Sequence, residues 1–280
     1  MRNQEIPNKE LVLRSFAEWL ANQNKSESTI KTYAGVIVQF LQWAKIEVHE
    51  ITPQIVQSYI DFLDSSNKSA GTIEKHYVAI TVFSRFLEKP ELATNIDRKE
   101  KPKNEEPPES LEVLEQDALL KEIESEGHLR NIAIVYTLLH TGIRVSELCD
   151  MNISDIKKDK DREYILVRDS KGEIDRVIPL SKKASEHIRA YRESKEHDTD
   201  ALFISSVNQR ITPRSVQYML NRYGVHPHKL RHTFCQNLID NGVEIQTVSK
   251  LMGHKDLNMT KRYLREPVQE LDVAIDRIYK

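Results

Sequence analysis

Cysteines and long apolar runs are the features that this 280-residue sequence has least of. Its two cysteines, Cys149 and Cys235, are too few and too far apart to predict a disulfide framework or a cysteine-based metal site. No apolar stretch approaches the roughly 20 residues that a membrane-spanning helix needs. The first ten residues, MRNQEIPNKE, lack the apolar segment of a secretory signal. We therefore expect a cytoplasmic globular protein with no membrane partner.

Acidic residues are absent from one long segment, residues 201–239. The whole chain carries 41 Lys and Arg against 43 Asp and Glu, a formal net charge of −2. That total alone disfavours nucleic-acid binding, but a phosphate backbone responds to the local field rather than to the average. A basic surface is therefore expected in this segment. Its basic residues include Arg210, Arg214, Arg222, Lys229 and Arg231.

Residues 98–112, RKEKPKNEEPPESLE, separate two regions with different patterns. The segment contains three prolines and almost no apolar residue, which is typical of an exposed linker. We predict a first domain at residues 1–100, a linker at 101–111 and a second domain at 112–280. Each domain is long enough to have its own core.

The first region has helical periodicity throughout. Its four amphipathic segments are LVLRSFAEWLANQ, TIKTYAGVIVQFLQWA, TPQIVQSYIDFLDSS and SAGTIEKHYVAITVFSRFLE. In the second segment Ile30, Ile37 and Phe40 recur at the spacing of one helix face. Thr52 and Pro53 suit the first turn of the third helix. The pattern predicts a compact four-helix domain.

The second region is predicted to be mainly helical with one small sheet. The apolar run NIAIVYTLLH predicts a buried helix that ends at Gly142, and the next helix is expected to begin near Arg144. The stretch REYILVRDSKGEIDRVIPL is the one convincing β pattern, in which two strands flank a turn with Lys171 and Gly172 at its tip. The predicted fold class is mainly α with a small antiparallel sheet.

The segment HPHKLRHTF predicts three functional side chains on one helix face. His228, Arg231 and His232 fall at positions i, i+3 and i+4 of a helix that begins at the proline. This set suits an anionic tetrahedral group better than a metal ion, because the arginine repels a divalent cation. The alternative is a zinc site, which lacks a carboxylate or thiolate at a regular spacing. Its ligands would be His226, His228, His232 and His254.

Arg144 and Lys171 each have an ordinary interpretation and a functional one. Arg144 stands where a helix begins, and the unpaired N–H groups there favour an anion site. Glu147 lies one turn further and can fix the guanidinium, although the pair alone is more simply a surface salt bridge. Lys171 on a hairpin tip is usually a solvated turn residue, but such a lysine can also protonate a leaving oxygen.

Tyr263 lies nine residues after His254, in the stretch GHKDLNMTKRYLR. Its neighbours Lys261, Arg262 and Arg265 make this an unusual position for a tyrosine that only fills a core. A tyrosine hydroxyl can act as a nucleophile if a base takes its proton and the electrophile is held in place.

Four motifs of the second region occur in the order and at the spacings of the tyrosine recombinases, the phage-integrase family. They are TGIRVSEL, SKGEIDRVIPL, HKLRHTF and LMGHKDLNMTKRY. The first region resembles the family's helical SAM-like core-binding domain, so the resemblance covers nearly the whole chain. In size the chain is more similar to Xer-type recombinases or transposon resolvases than to large phage integrases. Leu264 and Lys229 depart from residues common in the family, which bears on subfamily rather than on activity.

The resemblance implies the catalytic residues and their chemistry. Tyr263 would attack a DNA phosphodiester to form a 3′-phosphotyrosyl link and free a 5′-hydroxyl. His228 would accept the phenol proton, and Lys171 would protonate the leaving oxygen. Two arginines and a histidine would hold the phosphate charge in place of a metal, so no cofactor is expected. The implied catalytic set is Arg144, Lys171, His228, Arg231, His254 and Tyr263.

The expected partner is double-stranded DNA with a specific recombination site, clamped between the two domains and bound as a homotetramer on two duplexes. Basic residues spread over helices often form only a solvated face, which is the alternative interpretation of these DNA contacts. Two other functions stay open: type IB topoisomerase-like relaxation of one duplex, and a non-catalytic DNA-binding regulator of the same fold. The candidate DNA-binding residues are Lys31, Lys75, Arg85, Arg210, Arg214, Arg222 and Lys229.

The last segment, EPVQELDVAIDRIYK, has apolar residues at helical spacing. These residues are Val268, Leu271, Ala274, Ile275 and Ile278. A terminal amphipathic helix can cover the core of its own chain. The resemblance implies instead that it docks on a neighbouring subunit and couples active sites within the tetramer.

Overall fold

The computed structural model divides the chain into two compact units, Met1–Asn104 and Glu105–Lys280. The sequence-based predictions for Lys171, for Tyr263 and for the terminal helix lie outside the described residues. The described residues are 9–98, 108–160, 162–169, 172–194, 199–254, 256, 259 and 260.

The first unit is built from four α-helices, as predicted. Hydroxyl groups of Ser26, Thr52 and Ser69 cap three of them by accepting a bond from the backbone N–H three residues later. Such caps satisfy donors that the first helical turn leaves without a partner. The rings of Phe16 and Phe83 meet edge to face in the core, with centroids 5.0 Å apart. The helices are α1 (Lys9–Asn22), α2 (Glu27–Ala44), α3 (Pro53–Ser65) and α4 (Ala70–Phe86), with 3-10 turns at Val48–Glu50 and Pro90–Ala93.

The second unit packs its helices around α6, which is buried along almost its whole length, as its apolar run predicts. Among the described residues of both units, no helix is long and apolar enough to cross a membrane. The helices are α5 (Val113–Ser125), α6 (Leu129–Thr141), α7 (Val145–Asp150), α8 (Lys182–Glu193), α9 (Pro213–Asn221), α10 (Pro227–Asp240) and α11 (Ile245–Met252), with a 3-10 turn at Ile153–Asp155.

A three-stranded antiparallel sheet covers one side of this core, with the strands in the order β1-β2-β3. Ile156 lies opposite Ile165, which in turn lies opposite Ile178, so that one isoleucine from each strand forms an apolar row. The first strand was not predicted, because the sequence IKKD is short and charged and shows no apolar alternation. The strands are β1 (Ile156–Asp159), β2 (Arg162–Arg168) and β3 (Ile174–Pro179).

The turn between α6 and α7 depends on Gly142. Its φ of 60° is left-handed, and its N–H donates to Leu138 O to close the helix. A Cβ atom at this position would lie 2.4 Å from Cδ1 of Phe234, so the turn has no room for a side chain. The chain then enters α7 with Arg144 at the N-cap position, as the sequence predicts.

Gly142→Ala is expected to destabilise the protein more than Gly127→Ala. Both glycines have a left-handed φ, but a Cβ at Gly127 meets no atom within 4 Å. The backbone strain alone costs about 1–2 kcal/mol, and the overlap with Phe234 adds about 1–3 kcal/mol at Gly142. Urea unfolding followed by circular dichroism measures both losses. Equal losses in the two variants would show that the contact with Phe234 is unimportant.

Candidate active site

The C-terminal end of α11 binds three arginine side chains. The last carbonyl groups of an α-helix have no N–H partner within the helix, and they carry the negative end of its dipole. Here three successive carbonyls each accept a hydrogen bond from a different arginine. The bonds run from Arg176 Nε to Leu251 O (2.8 Å), from Arg231 Nη2 to Met252 O (2.5 Å) and from Arg144 Nη2 to Gly253 O (3.0 Å). One short helix therefore fixes three cations at neighbouring positions.

Arg231 connects this helix end to the turn before α7. Its side chain projects from α10, and only 6% of the residue is exposed. While one guanidinium nitrogen bonds to Met252, the other, Nη1, donates to Gly142 O. A buried cation needs such partners, because an uncompensated charge in the interior is very costly.

Arg144 and Arg176 share the carboxylate of Glu147. The backbone N–H of Arg144 donates to Glu147 Oε2 (2.7 Å), and its Nη1 donates to Oε1 (2.7 Å). Arg176 approaches the same carboxylate with Nη2 to Oε2 (2.8 Å) and Nη1 to Oε1 (3.1 Å). Burial raises the pKa of the Glu147 carboxyl, but the bonds from Arg176 and Arg144 outweigh it and hold this pKa below its ordinary value. Glu147 is therefore a stable anion between two cations.

His254 follows directly after this helix end and is half-buried. Burial, together with the positive charges of Arg231 and Arg144, lowers the pKa of His254 to about 4. The ring is therefore neutral near pH 7. Its Nδ1 lies 2.8 Å from the hydroxyl of Thr260. If that nitrogen accepts the hydroxyl proton, Nε2 carries the ring proton and can donate to a phosphate oxygen.

His228 lies on the exposed side of α10, one turn before His232. Their rings are stacked with centroids 6.4 Å apart, which confirms that the two share a helix face. Burial lowers the pKa of His228, and the charges of His226, Arg231 and Arg144 lower it further. A neutral imidazole at pH 7 can accept a proton.

The structure thus brings together four of the six predicted catalytic residues, Arg144, His228, Arg231 and His254. Two of them are permanent cations and two are neutral rings, an arrangement that suits an anion with several oxygens. Among the residues that the structure describes, no three His, Cys, Asp or Glu side chains are close enough together to hold a metal ion. The four histidines of the zinc alternative are therefore not assembled.

Several of the predicted DNA-binding residues have partners within the protein. Arg210 donates to Cys149 O and Met151 O, both at 3.0 Å, and to the Asn152 side chain. In the first unit Lys31 pairs with Glu27. Two further ion pairs are Arg222 with Glu126 and Lys229 with Glu109. For these residues a phosphate contact would require rearrangement of an existing bond.

Other predicted DNA-binding residues are exposed to solvent. Arg214 lies on α9, inside the acid-free segment. Lys75 and Arg85 lie on α4 in the first unit. These three are the candidate residues with side chains best placed to meet a ligand.

Arg176 and Thr260 belong to the site but were not predicted from the sequence. Arg176 precedes Ile178 by two positions on β3, so it lies on the face that Ile178 buries. A charged residue on a buried strand face could have indicated that Arg176 has a structural or functional role, because such a residue needs a partner inside the fold. Thr260 gives no comparable signal, since neither its residue type nor its spacing from His254 indicates the bond between them.

Comparison with known proteins identifies the class. Residues 109–270 match the phage integrase family, and residues 12–94 match the phage integrase N-terminal SAM-like domain. The chain therefore belongs to the phage integrase family, and it is a tyrosine recombinase.

Two groups of relatives are similar over most of their length. The tyrosine recombinase XerA of Thermococcus kodakarensis is 31% identical over 275 residues, which cover 95% of this chain and 94% of the relative. The tyrosine recombinase XerC of Staphylococcus carnosus is 29% identical, with 88% of this chain and 89% of the relative covered.

Solved structures agree with this assignment. A crystal structure of XerA recombinase matches with a TM-score of 0.52 and 27% identity, covering 98% of this chain and 99% of that one. XerH recombinase bound to its difH substrate has the same fold, with a TM-score of 0.72, 18% identity, and coverage of 97% and 85%.

The neutral state of His254 predicts a pH dependence of stability. The unfolded ring has a pKa of about 6.5, whereas the pKa in the folded protein is about 4. As the pH falls through this window, the unfolded chain takes up a proton that the folded protein does not, so stability falls. His254→Asn should therefore lose less stability than the unaltered protein between pH 6.5 and 4, measured by urea unfolding at several pH values.

Histidine ring signals in an NMR titration provide a direct check. The His254 signal should titrate with a midpoint near 4. A midpoint at or above the ordinary value would contradict the burial of the ring among cations.

Proposed function

We propose that this tyrosine recombinase breaks and rejoins double-stranded DNA at a specific site, with Tyr263 as its nucleophile. The observation that carries the proposal is the anion site that Arg144, Arg231 and His254 form at the end of α11. The order of the sequence motifs and the names of the relatives support the same chemistry.

In the cleavage step, the Tyr263 oxygen would attack the phosphorus of a phosphodiester. The bond from Oη to phosphorus forms as the bond from phosphorus to O5′ breaks, leaving a 3′-phosphotyrosyl link and a 5′-hydroxyl. His228 would take the phenol proton, and Lys171 would give a proton to the leaving O5′. Because the link conserves the bond energy, the 5′-hydroxyl of another strand can reverse the step and reseal the DNA without ATP.

The transition state of this step concentrates negative charge on the non-bridging oxygens. Arg144, Arg231 and neutral His254 would stabilise that charge, and the loss of one such donor typically costs about 2.7–4 kcal/mol. We propose that these groups serve where other phosphoryl-transfer enzymes use a metal ion, so that no cofactor is required.

We propose that residues 1–100 form a DNA-binding domain and residues 112–280 the catalytic domain, joined by residues 101–111. Exposed Arg214 on α9, with Lys75 and Arg85 on α4, are the first candidates for contacts with DNA. Phosphate contacts would position the enzyme, while contacts to base edges would choose the site. We also propose a cytoplasmic location, in keeping with a DNA substrate.

The two alternative functions have less support. A topoisomerase-like enzyme would change only the linking number of one duplex, whereas the relatives are named as recombinases. A regulator that only binds DNA would have no use for a buried clamp of arginines beside two neutral histidines. Analysis of product linkage on DNA that carries two sites separates all three functions.

Tyr263→Phe should bind DNA with unchanged affinity and form no covalent adduct. The DNA is a site selected from a random pool by the unaltered protein, and the adduct is detected by its survival in denaturant. Tyr164→Phe, a tyrosine on β2, is the matched control and should keep the adduct. Cleavage should also persist in excess EDTA. If Tyr263→Phe still formed an adduct, Tyr263 would not be the nucleophile. Loss of cleavage in EDTA with recovery in Mg²⁺ would indicate metal-dependent chemistry.

A groove of about 720 Å³ on the second unit is the candidate docking surface for the terminal helix of a second copy. Its apolar side includes Ile178, Phe234 and Leu251. Its rim is net positive, with four basic residues and two acidic ones, and Arg189 pairs with Glu163. The basic residues are Lys158, Arg162, Lys182 and Arg189, and the acidic ones are Glu163 and Glu186. The terminal segment has five apolar residues at helical spacing, and its four acids outnumber its two basic residues, Arg277 and Lys280, so it complements the apolar side and the net positive rim of the groove. The acids of the segment are Glu266, Glu270, Asp272 and Asp276.

We propose that exchange of this helix holds a homotetramer on two duplexes. Each fully buried apolar side chain contributes about 1.5–3 kcal/mol before ordering costs. A helix that buries several such side chains can therefore decide whether the tetramer assembles. Opposite charges on the groove and on the segment would also orient the incoming helix.

Removal of the residues after Glu266 should leave single half-site binding intact and abolish assembly of paired sites. Lys182→Glu, on the rim of the groove, should weaken assembly with the segment still present. Lys183→Glu is the matched control: it makes the same charge change beside the groove and should not weaken assembly. Native mass spectrometry on full-site DNA gives the stoichiometry, and circular dichroism verifies folding. An unfolded truncated protein would show that the helix covers its own core.

A further inference from the structure

Arg176 is an enclosed member of the charged network beside the anion site. Its side chain is 7% exposed, compared with 14% for Glu147 and 41% for Arg144. The proposed chemistry assigns it no role. All three guanidinium nitrogens of Arg176 already bond to Glu147, Asp175 or Leu251, whereas Arg144 is 41% exposed and remains open to a phosphate.

Arg176 bonds to both oxygens of the Glu147 carboxylate, which is the same group that holds Arg144. With one arginine alone, Glu147 would form a neutral ion pair and would compete with a phosphate for the Arg144 guanidinium. With both arginines the Glu147 carboxylate is shared between two cations; Asp175 also pairs with Arg176, but its side chain is 46% exposed, so solvent screens its charge more than that of Glu147, which is 14% exposed. The second cation thus offsets Glu147 and leaves Arg144 available to an anion.

The position of Arg176 is fixed on its other side by α11. Its Nε donates to Leu251 O at 2.8 Å, and its Nη1 donates to Asp175 Oδ2 at 2.8 Å. A Cβ atom at Gly253 would lie 2.9 Å from Nη1, so the guanidinium packs directly against the residue that precedes His254. Arg176 therefore links β3, Glu147 and the loop that carries His254.

We propose that Arg176 is a positioning residue for strand cleavage, one that holds and neutralises Glu147 so that Arg144 presents its guanidinium to the scissile phosphate. This inference rests on the proposed function. A displacement of about 1 Å in a catalytic group can cost on the order of 10²-fold in rate. Arg176→Met, which keeps the length of the side chain, should slow adduct formation by about that factor.

Two modified substrates test which group Arg176 serves. A methylphosphonate at the scissile position replaces one charged non-bridging oxygen with a neutral methyl group, so it needs less help from Arg144. A 5′-bridging sulfur leaves without a proton, so it needs less help from Lys171. Arg176→Met should recover on the methylphosphonate, as Arg144→Ala is expected to, and should not recover on the 5′-sulfur substrate, which is expected to restore Lys171→Ala.

Arg168→Met is the matched control. Arg168 lies on the adjacent strand β2 and pairs with buried Asp155 (2.7 Å), not with Glu147. Its variant should show no recovery on the methylphosphonate. Equal recovery of Arg168→Met and Arg176→Met would overturn the proposal, because the effect would then be independent of Glu147.

A double-mutant cycle tests the connection through the carboxylate. If Arg176 acts by neutralising Glu147, then Arg176→Met should change the rate little in a Glu147→Gln background. Additive losses would overturn the proposal. The proposal would also be overturned by an equal defect of Arg176→Met on the unmodified, methylphosphonate and 5′-sulfur substrates together with a lowered unfolding midpoint. Recovery on the 5′-sulfur substrate alone would overturn it as well. Failure of the unaltered protein to form any adduct would instead refute the proposed function, and the two failures are thus distinguishable.

Discussion

The hydrogen bonds between three arginines and the end of α11 are the interaction on which the site depends. Three guanidinium groups would repel one another at this distance without a compensating negative charge. A helix C-terminus supplies about half an elementary charge of the required sign, and its carbonyls are fixed in direction by the helix. Glu147 supplies a full negative charge on the other side. Positive charge can therefore be concentrated inside the fold before any phosphate arrives, which is the preorganisation that electrostatic catalysis requires.

The cations of the second unit differ in how much of each side chain faces solvent. Arg231 and Arg176 are enclosed by carbonyl and carboxylate oxygens, whereas Arg144 stays partly open. The same division applies to the acid-free segment. Although it contains no acid of its own, Arg222 and Lys229 find Glu126 and Glu109 elsewhere in the chain. Absence of acids along a stretch of sequence thus does not measure the charge of the surface that the stretch forms.

Local signals in the sequence were sufficient for most of the fold and for part of the site. Apolar spacing predicted the helices, and a glycine followed by an arginine predicted the turn that places Arg144, because both depend on neighbouring residues only. Strand β1 was not predicted, because it is stabilised by its pairing with β2 and its own residues show no strand pattern. The contacts of Arg176 with Glu147 and Leu251 join residues far apart in sequence, so they could not be predicted from spacing. Chemical roles for Lys171 and Tyr263 came from the family resemblance.

The bonds at the end of α11 connect distant parts of the chain, and this has a consequence for incompletely folded molecules. Arg144 and its acceptor are 109 residues apart, and Arg176 and its acceptor are 75 residues apart. Contacts of such long range form only when most of the surrounding chain is already in place. A nascent or partly unfolded chain, in which α11 has not docked, has no assembled clamp for a phosphate. Binding of a phosphate at this site is thereby coupled to the completion of folding.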